Sequence, residues 1–230
     1  ALSGPDGSGL AVFLQATGYD DFIGYIGIGT VVWMWQNMIL WDVGYALRGE
    51  QMRGTLESNW LTPTWRYSFL VGSSVVQFFS ILMFMVVGFA EFSLLLGVHF
   101  QGNLLLVALM ILVSIPAIYG IGFTFASLVV YAKEANSFVF LVRGMVMIFC
   151  GITYPISVMP GWMQSVAQWL PPTYIIHGLR SALLLGADFR TLLPDIKALL
   201  AFGVFWMVVG YLAFNWMERR ARRVGALGQF

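Results

Sequence analysis

The sequence predicts an all-α, polytopic membrane protein, and three observations lead to this fold class. Apolar residues occupy 59% of the 230 positions and charged residues only 10%, whereas soluble domains carry about 25% charged residues. The apolar residues gather into five stretches, each near the length of about 20 residues that a helix needs to cross a bilayer. None of these stretches alternates polar and apolar residues as barrel strands do, so all five are predicted to be helices.

The predicted spans organise residues 1–230 as a single transmembrane domain. The spans are expected at 22–45, 68–92, 103–131, 138–156 and 196–217. The remaining segments are an external loop at 1–21, a cytoplasmic loop at 46–67, an external segment at 157–190 and a cytoplasmic tail at 218–230. Pro116 in the third span removes one helical hydrogen bond, so a kink is predicted there.

The external segment 157–190 is apolar but contains a strong helix break. Pro171 and Pro172 interrupt it, and Pro155 and Pro160 lie at its start. Because proline cannot donate a helical hydrogen bond, one straight span is excluded. We expect two short helices that enter the membrane face and return, with protein or water covering the break.

Basic residues in the short loops predict the orientation. One side holds Arg48, Arg53, Arg66, Lys133, Arg219, Arg220, Arg222 and Arg223, and the other holds Arg180, Arg190 and Lys197. Positively charged loops stay in the cytoplasm, so the C-terminus is predicted to be cytoplasmic and Ala1 external. Since no signal peptide is visible, an external Ala1 predicts at least one further span before it.

The sequence contains no pattern that predicts catalysis or cofactor binding. His99 and His177 are the two histidines and lie far apart, and Cys150 is the one cysteine. The phosphate-binding pattern G-x-x-x-x-G-K-[ST] is absent, so this chain is not expected to hydrolyse ATP by that device. We therefore predict that the chain is not an enzyme, with no metal site and no nucleic-acid partner.

A few polar residues fall inside the predicted spans. Gln36, Asn37 and Gln77 are uncharged, and either helix packing or substrate contact would explain them. Arg143 lies about one and a half turns into the fourth span, near enough to the cytoplasm for its head group to reach water. Charged groups within spans usually mark ion or proton pathways, and their scarcity argues against an ion-coupled carrier.

The first cytoplasmic loop predicts an amphipathic helix that ends near Pro63. Its apolar residues at helical spacing are Met52, Leu56 and Trp60, and its charged residues are Glu50, Arg53 and Glu57. Such a helix could rest on the membrane surface. It could equally dock into a cytoplasmic partner and transmit force to the two spans that it joins.

The same loop carries a recognisable motif. The run Glu50-x-x-x-Gly54-Thr55-Leu56-Glu57, with Thr62-Pro63 downstream, resembles the coupling-helix region of type-2 ATP-binding-cassette (ABC) transporter permeases. These permeases are the membrane subunits of drug, polysaccharide and lipid exporters. A second motif is similar to the signature that precedes the family's last span. It comprises Gly151, Tyr154, Pro155, Met159, Pro160, Trp162, Leu170, Pro171, Pro172, Tyr174, Gly178, Arg180 and Gly186.

The resemblance implies a fold and a set of partners. The family has six spans with both termini in the cytoplasm, so its first span would precede Ala1. Two permease chains, identical or different, would form the pathway, and a separate ATPase subunit would bind ATP and Mg²⁺. That subunit would dock at Glu50, Arg53, Gly54, Thr55, Leu56, Glu57, Trp60 and Pro63.

The expected function is ATP-driven export of an amphiphilic drug or lipid-like compound across the cell (plasma or inner) membrane by alternating access. Polysaccharide export is an alternative within the same family. An ion-coupled carrier or channel would need charges buried in the spans, which are few. A membrane-embedded enzyme such as a lipid transferase would need converging acidic or histidine residues, and Asp42, Glu91 and His99 do not share a predicted depth.

Overall fold

The computed structural model describes residues 13–15, 17–54, 67–132 and 136–224. The described chain is helical and contains no strand, which confirms the all-α prediction. In chain order the helices are α1 (Phe22–Met52), α2 (Tyr67–Leu96), α3 (Leu104–Ala132), α4 (Asn136–Phe149), α5 (Gly161–Ala167), α6 (Pro171–Leu184) and α7 (Phe189–Val224). A single 3-10 turn at Ile156–Val158 precedes α5.

Within the described residues, four helices are long and apolar enough to cross a membrane, over Phe22–Val43, Val71–Leu96, Leu104–Val129 and Phe189–Arg220. The fourth span, predicted at 138–156, needs correction, because α4 has only 14 residues. At 1.5 Å per residue it extends about 21 Å, against about 30 Å of hydrocarbon. The helix ends there because Gly151 has a φ of 71°, in the left-handed region, and Pro155 is extended.

The end of α1 also differs from the prediction. α1 continues to Met52, beyond the predicted span end at residue 45, and Glu50 therefore belongs to the same helix as the span. The helix stops where Gly54 takes a φ of 70°, the usual role of glycine just after a helix. Glu50 and Met52, the first residues of the predicted amphipathic helix, are thus the last residues of α1 and not part of a separate helix. Residues 55–66 lie outside the described part of the chain.

The two short helices predicted in the external segment are present as α5 and α6. Prolines begin both: Pro160 precedes α5, and Pro171 and Pro172 occupy the first turn of α6. Proline fits this position because the first helical N–H groups have no partner within the helix. The break that the sequence predicted therefore falls between the two helices and not inside one.

The core is built mainly by α1, α3, α6 and α7, and Trp35 of α1 is fully buried in it. α3 and α7 make the most extensive contact. A Cβ atom on Gly120 would lie 2.6 Å from the carbonyl carbon of Trp206, and one on Gly210 would lie 3.0 Å from the carbonyl oxygen of Gly120. Gly203 and Gly210 of α7 both face α3, and the absence of side chains there lets the two helices pack closely.

The apolar surface is distributed unevenly between the helices. Most of α1 is buried inside the protein, whereas α2 buries little of its span and exposes a long row of valine, phenylalanine, methionine and leucine side chains. A soluble protein could not expose that row without aggregating. The exposed face is consistent with lipid as the solvent.

Candidate functional site

The described part of the predicted coupling region is the end of α1. Arg53 forms an ion pair with Glu50 one turn earlier, and Gly54 then ends the helix. The other predicted coupling residues, Thr55, Leu56, Glu57, Trp60 and Pro63, lie outside the described residues. Docking of an ATPase at this region therefore stays a prediction.

The middle of α1 carries polar atoms without hydrogen-bond partners in the described structure. They are Nε1 of Trp35, Oε1 of Gln36 and Oδ1 of Asn37. Gln36 is only 3% exposed, and an unsatisfied polar atom in such a place is costly. Among the described residues these oxygens have no hydrogen bond to another helix, so substrate contact and helix packing both stay open for them. Gln77 lies apart from them on α2, partly buried.

An aromatic face runs along α1 opposite α4, which we call the α1–α4 face and define by Trp33, Asn37, Trp41, Tyr45 and Arg143. The rings of Trp41 and Tyr45 stack with centroids 5.3 Å apart. The guanidinium carbon of Arg143 lies 4.5 Å from the centre of the Trp33 ring, and the indole N–H of Trp33 donates to the carbonyl of Arg143 at 3.3 Å. Arg143 is thus held over an aromatic ring, a favourable cation–π contact.

Sequence reasoning missed the α1–α4 face, although its signal was present. Trp33, Asn37, Trp41 and Tyr45 are each four residues apart, and that spacing places side chains on one side of a helix. A search for catalytic residues finds only histidines and a cysteine, and none of these lies on this face.

Arg180 is the centre of the second predicted motif, and the structure buries it. It is 4% exposed. Its guanidinium donates to the backbone carbonyls of Tyr25, Gly151 and Ile152 at 2.8–2.9 Å, and its carbon lies 3.3 Å from the centre of the Tyr25 ring. We call this arrangement the Arg180 clamp. It joins α6 to the first turn of α1 and to the turn after α4.

Two details show how the sequence accommodates this buried cation. A Cβ atom on Gly29 would lie 2.7 Å from Nη2 of Arg180, so glycine provides the space. Burial lowers the pKa of Arg180 to about 10, with the neighbouring Tyr25 and Tyr19 acting in the opposite direction. The guanidinium therefore remains charged at neutral pH.

The other residues of this motif shape the two external helices. Tyr174 donates its hydroxyl hydrogen to the carbonyl of Gln168 at 2.9 Å, which closes the turn between α5 and α6. Tyr154 and Trp162 are 61% and 63% exposed, as expected for aromatic residues that face lipid head groups. None of these side chains converges on a catalytic arrangement.

His177 links α6 to α7. Its Nδ1 lies 2.8 Å from Oδ2 of Asp195. The hydrogen bond to Asp195 raises the pKa of His177, while burial acts in the opposite direction. This ion pair and the Arg180 clamp lie one turn apart on α6, so α6 is fixed to three neighbouring elements.

Comparison with known proteins gives two matches. Residues 10–184, more than half of the chain, match the family described as "ABC-2 type transporter". Over 141 residues the chain is 28% identical to the linearmycin resistance permease protein LnrN of Bacillus subtilis (strain 168). That alignment covers 59% of this chain but only 37% of the relative, well under two thirds of its length.

Proposed function

The chain belongs to the ABC-2 type transporter family and is a membrane subunit of an ABC transporter, and from this premise we propose that it exports an amphiphilic drug or lipid-like compound. ATP hydrolysis would take place on a separate nucleotide-binding subunit with ATP and Mg²⁺. The relative that carries the name of a resistance permease supports a substrate of this class. The cell membrane and a cytoplasmic C-terminus are part of this proposal.

The observation that carries the proposal is the continuity of α1. Its 31 residues extend about 46 Å, further than the hydrocarbon core of about 30 Å. One rigid helix thus connects the Glu50–Arg53 turn with the α1–α4 face. A push on the segment after Gly54, when the ATPase closes, would tilt that face as a unit.

The α1–α4 face is the part of the chain best suited to an amphiphile. Trp33, Trp41 and Tyr45 offer flat apolar surface and are partly exposed in the single chain. Beside them the oxygen of Asn37 is buried and has no hydrogen-bond partner among the described residues, so a shift of α1 would be needed to present it to a substrate. A second permease chain, identical or different, would close the pathway over them.

The test requires the permease with its nucleotide-binding subunit in proteoliposomes. We expect ATP-dependent movement of a fluorescent amphiphile, and about a tenfold slower rate for Trp33→Leu, as loss of a desolvated aromatic contact predicts. Trp169→Leu is the matched control, because Trp169 is 76% exposed in the turn between α5 and α6. Transport by the permease alone, without ATP, would refute the proposal.

Polysaccharide export is a second candidate, favoured by the same aromatic face, since sugar rings also pack against aromatic side chains. The two candidates separate in one assay. A polysaccharide exporter would show ATPase stimulation by lipid-linked oligosaccharide and none by the fluorescent amphiphile.

A further inference from the structure

A cavity of about 300 Å³ lies beside the Arg180 clamp, away from the α1–α4 face. Its walls come from the residues before α1, the first turn of α1, the turn after α4, and α6. Tyr25, His177 and Arg180 supply polar wall, and Cys150 and Ile176 supply apolar wall. Among the described residues, no Asp or Glu lines the cavity.

Arg180 has N–H donors that remain available to a ligand. A guanidinium has five N–H donors, and the three carbonyls of the clamp each take one. One hydrogen on Nη1 and one on Nη2 are therefore still available. In the described residues no carboxylate lies within ion-pair distance of this guanidinium, so its charge has only carbonyl dipoles and an aromatic ring to balance it.

Two more donors reach the same space. The hydroxyl of Tyr25 donates to no described residue, although Tyr25 is only 4% exposed. His177 uses Nδ1 for Asp195 and leaves Nε2 unused. Asp195 balances the charge of a protonated His177, whereas nothing comparable balances Arg180. The cavity therefore combines surplus positive charge with unused donors.

We propose that this cavity binds a phosphate or carboxylate group, with Arg180, Tyr25 and His177 as its donors. A guanidinium recognises such anions through strong charge-assisted hydrogen bonds. The volume is at the lower limit for small-molecule sites, so a head group fits and a whole drug does not. The site is separate from the α1–α4 face and does not depend on the transport function.

Two substitutions remove donors without touching the clamp. Tyr25→Phe keeps the ring beneath Arg180 and deletes the hydroxyl, and His177→Leu deletes the imidazole and leaves no N–H in its place. His99→Leu is the matched control, because His99 is exposed in the loop between α2 and α3. The purified permease in phosphatidylcholine nanodiscs is titrated with inorganic phosphate in one arm and with lysophosphatidylglycerol in the other, followed by native mass spectrometry.

Cys150 provides an independent readout of occupancy. It is the single cysteine of the chain, lines the cavity and is 1% exposed. A bound anion should slow its alkylation by iodoacetamide. Protection by phosphate would identify a free anion as the ligand, and protection by lysophosphatidylglycerol alone would identify a lipid head group.

We expect binding to weaken roughly tenfold in Tyr25→Phe and in His177→Leu, as the loss of one hydrogen bond to a charged group predicts. His99→Leu should bind like the wild type. Unfolding temperatures measured in parallel identify a variant that has lost its fold, and the other variant then decides. The proposal is overturned if neither probe binds or protects Cys150, or if both variants bind like the wild type.

Discussion

Replacing Arg180 by methionine tests whether the Arg180 clamp holds the turn after α4. Methionine has a similar length but donates no hydrogen bond, so the carbonyls of Gly151 and Ile152 lose their partner. Hydrogen bonds from a charged donor contribute about 1.5–3 kcal/mol each, and the desolvation of the guanidinium offsets several kcal/mol of their sum. We therefore expect the turn to lose about 3 kcal/mol of local stability.

The assay is the alkylation rate of Cys150, which immediately precedes the two carbonyls and is buried in the folded chain. If alkylation requires local opening, its rate follows the open population, and about 3 kcal/mol corresponds to roughly a hundredfold increase. Arg180→Lys should fall between, because one ammonium group cannot match the planar fork of arginine. Arg190→Met is the control, since Arg190 is exposed at the start of α7.

A rate increase of less than about threefold in Arg180→Met would refute the reasoning, because it corresponds to under about 0.7 kcal/mol. It would mean that the carbonyl contacts contribute little beyond the desolvation of the guanidinium. An equal increase in Arg190→Met would show that the assay reports general loosening of the helices and not the clamp.

Three further predictions follow from the fold. Gly120→Leu should destabilise the protein by about 1–3 kcal/mol or more, because the new side chain would overpack α3 against Trp206. Gly144 has open space around it, so Gly144→Leu should leave the unfolding temperature in detergent nearly unchanged. Because the pKa of His177 is raised in the folded state, the stabilisation by its pair with Asp195 is fully present below the reference value of 6.5 and declines as the pH rises through the raised pKa. The unfolding temperature should therefore fall more between about pH 6 and pH 8.5 in the wild type than in His177→Gln, and equal falls would contradict the assignment. Gly54→Ala should cost about 1 kcal/mol at a φ of 70°, and Gly54→Asn less; a stabilised Gly54→Ala in thermal unfolding would exclude the left-handed conformation.

The spans were predictable because hydropathy reports the solvent directly. Hydropathy does not tell where a helix ends, because a helix can continue beyond its apolar stretch, as α1 does. Its apolar stretch stops near residue 45, but its backbone hydrogen bonds continue to Met52. Gly54 does indicate this end in the sequence, because glycine commonly follows the last residue of a helix. Hydropathy does not use that information. The overestimate of α4 has the same origin, because Gly151 ends that helix inside an apolar run.

The role of Arg180 could not be predicted from local sequence. Counting basic residues treats each one as a mark of orientation, and Arg180 was assigned to an external loop on that basis. Its partners are backbone carbonyls, of which Tyr25 is 155 positions away and Gly151 is 29 positions away. Every residue has a backbone carbonyl, so no pattern of side chains in the sequence predicts such contacts. Only the packing of α6 against α1 reveals them.

The Arg180 clamp also constrains how α1 can move. One end of α1 leads into the predicted coupling segment, and its first turn, at the other end, is bound to Arg180 through the carbonyl of Tyr25. A tilt of α1 therefore either breaks that hydrogen bond or takes α6 along. His177 also connects α6 to α7 through its hydrogen bond with Asp195. Moving α6 alone would therefore break that bond as well. A motion that keeps both contacts moves α1, α6 and α7 together.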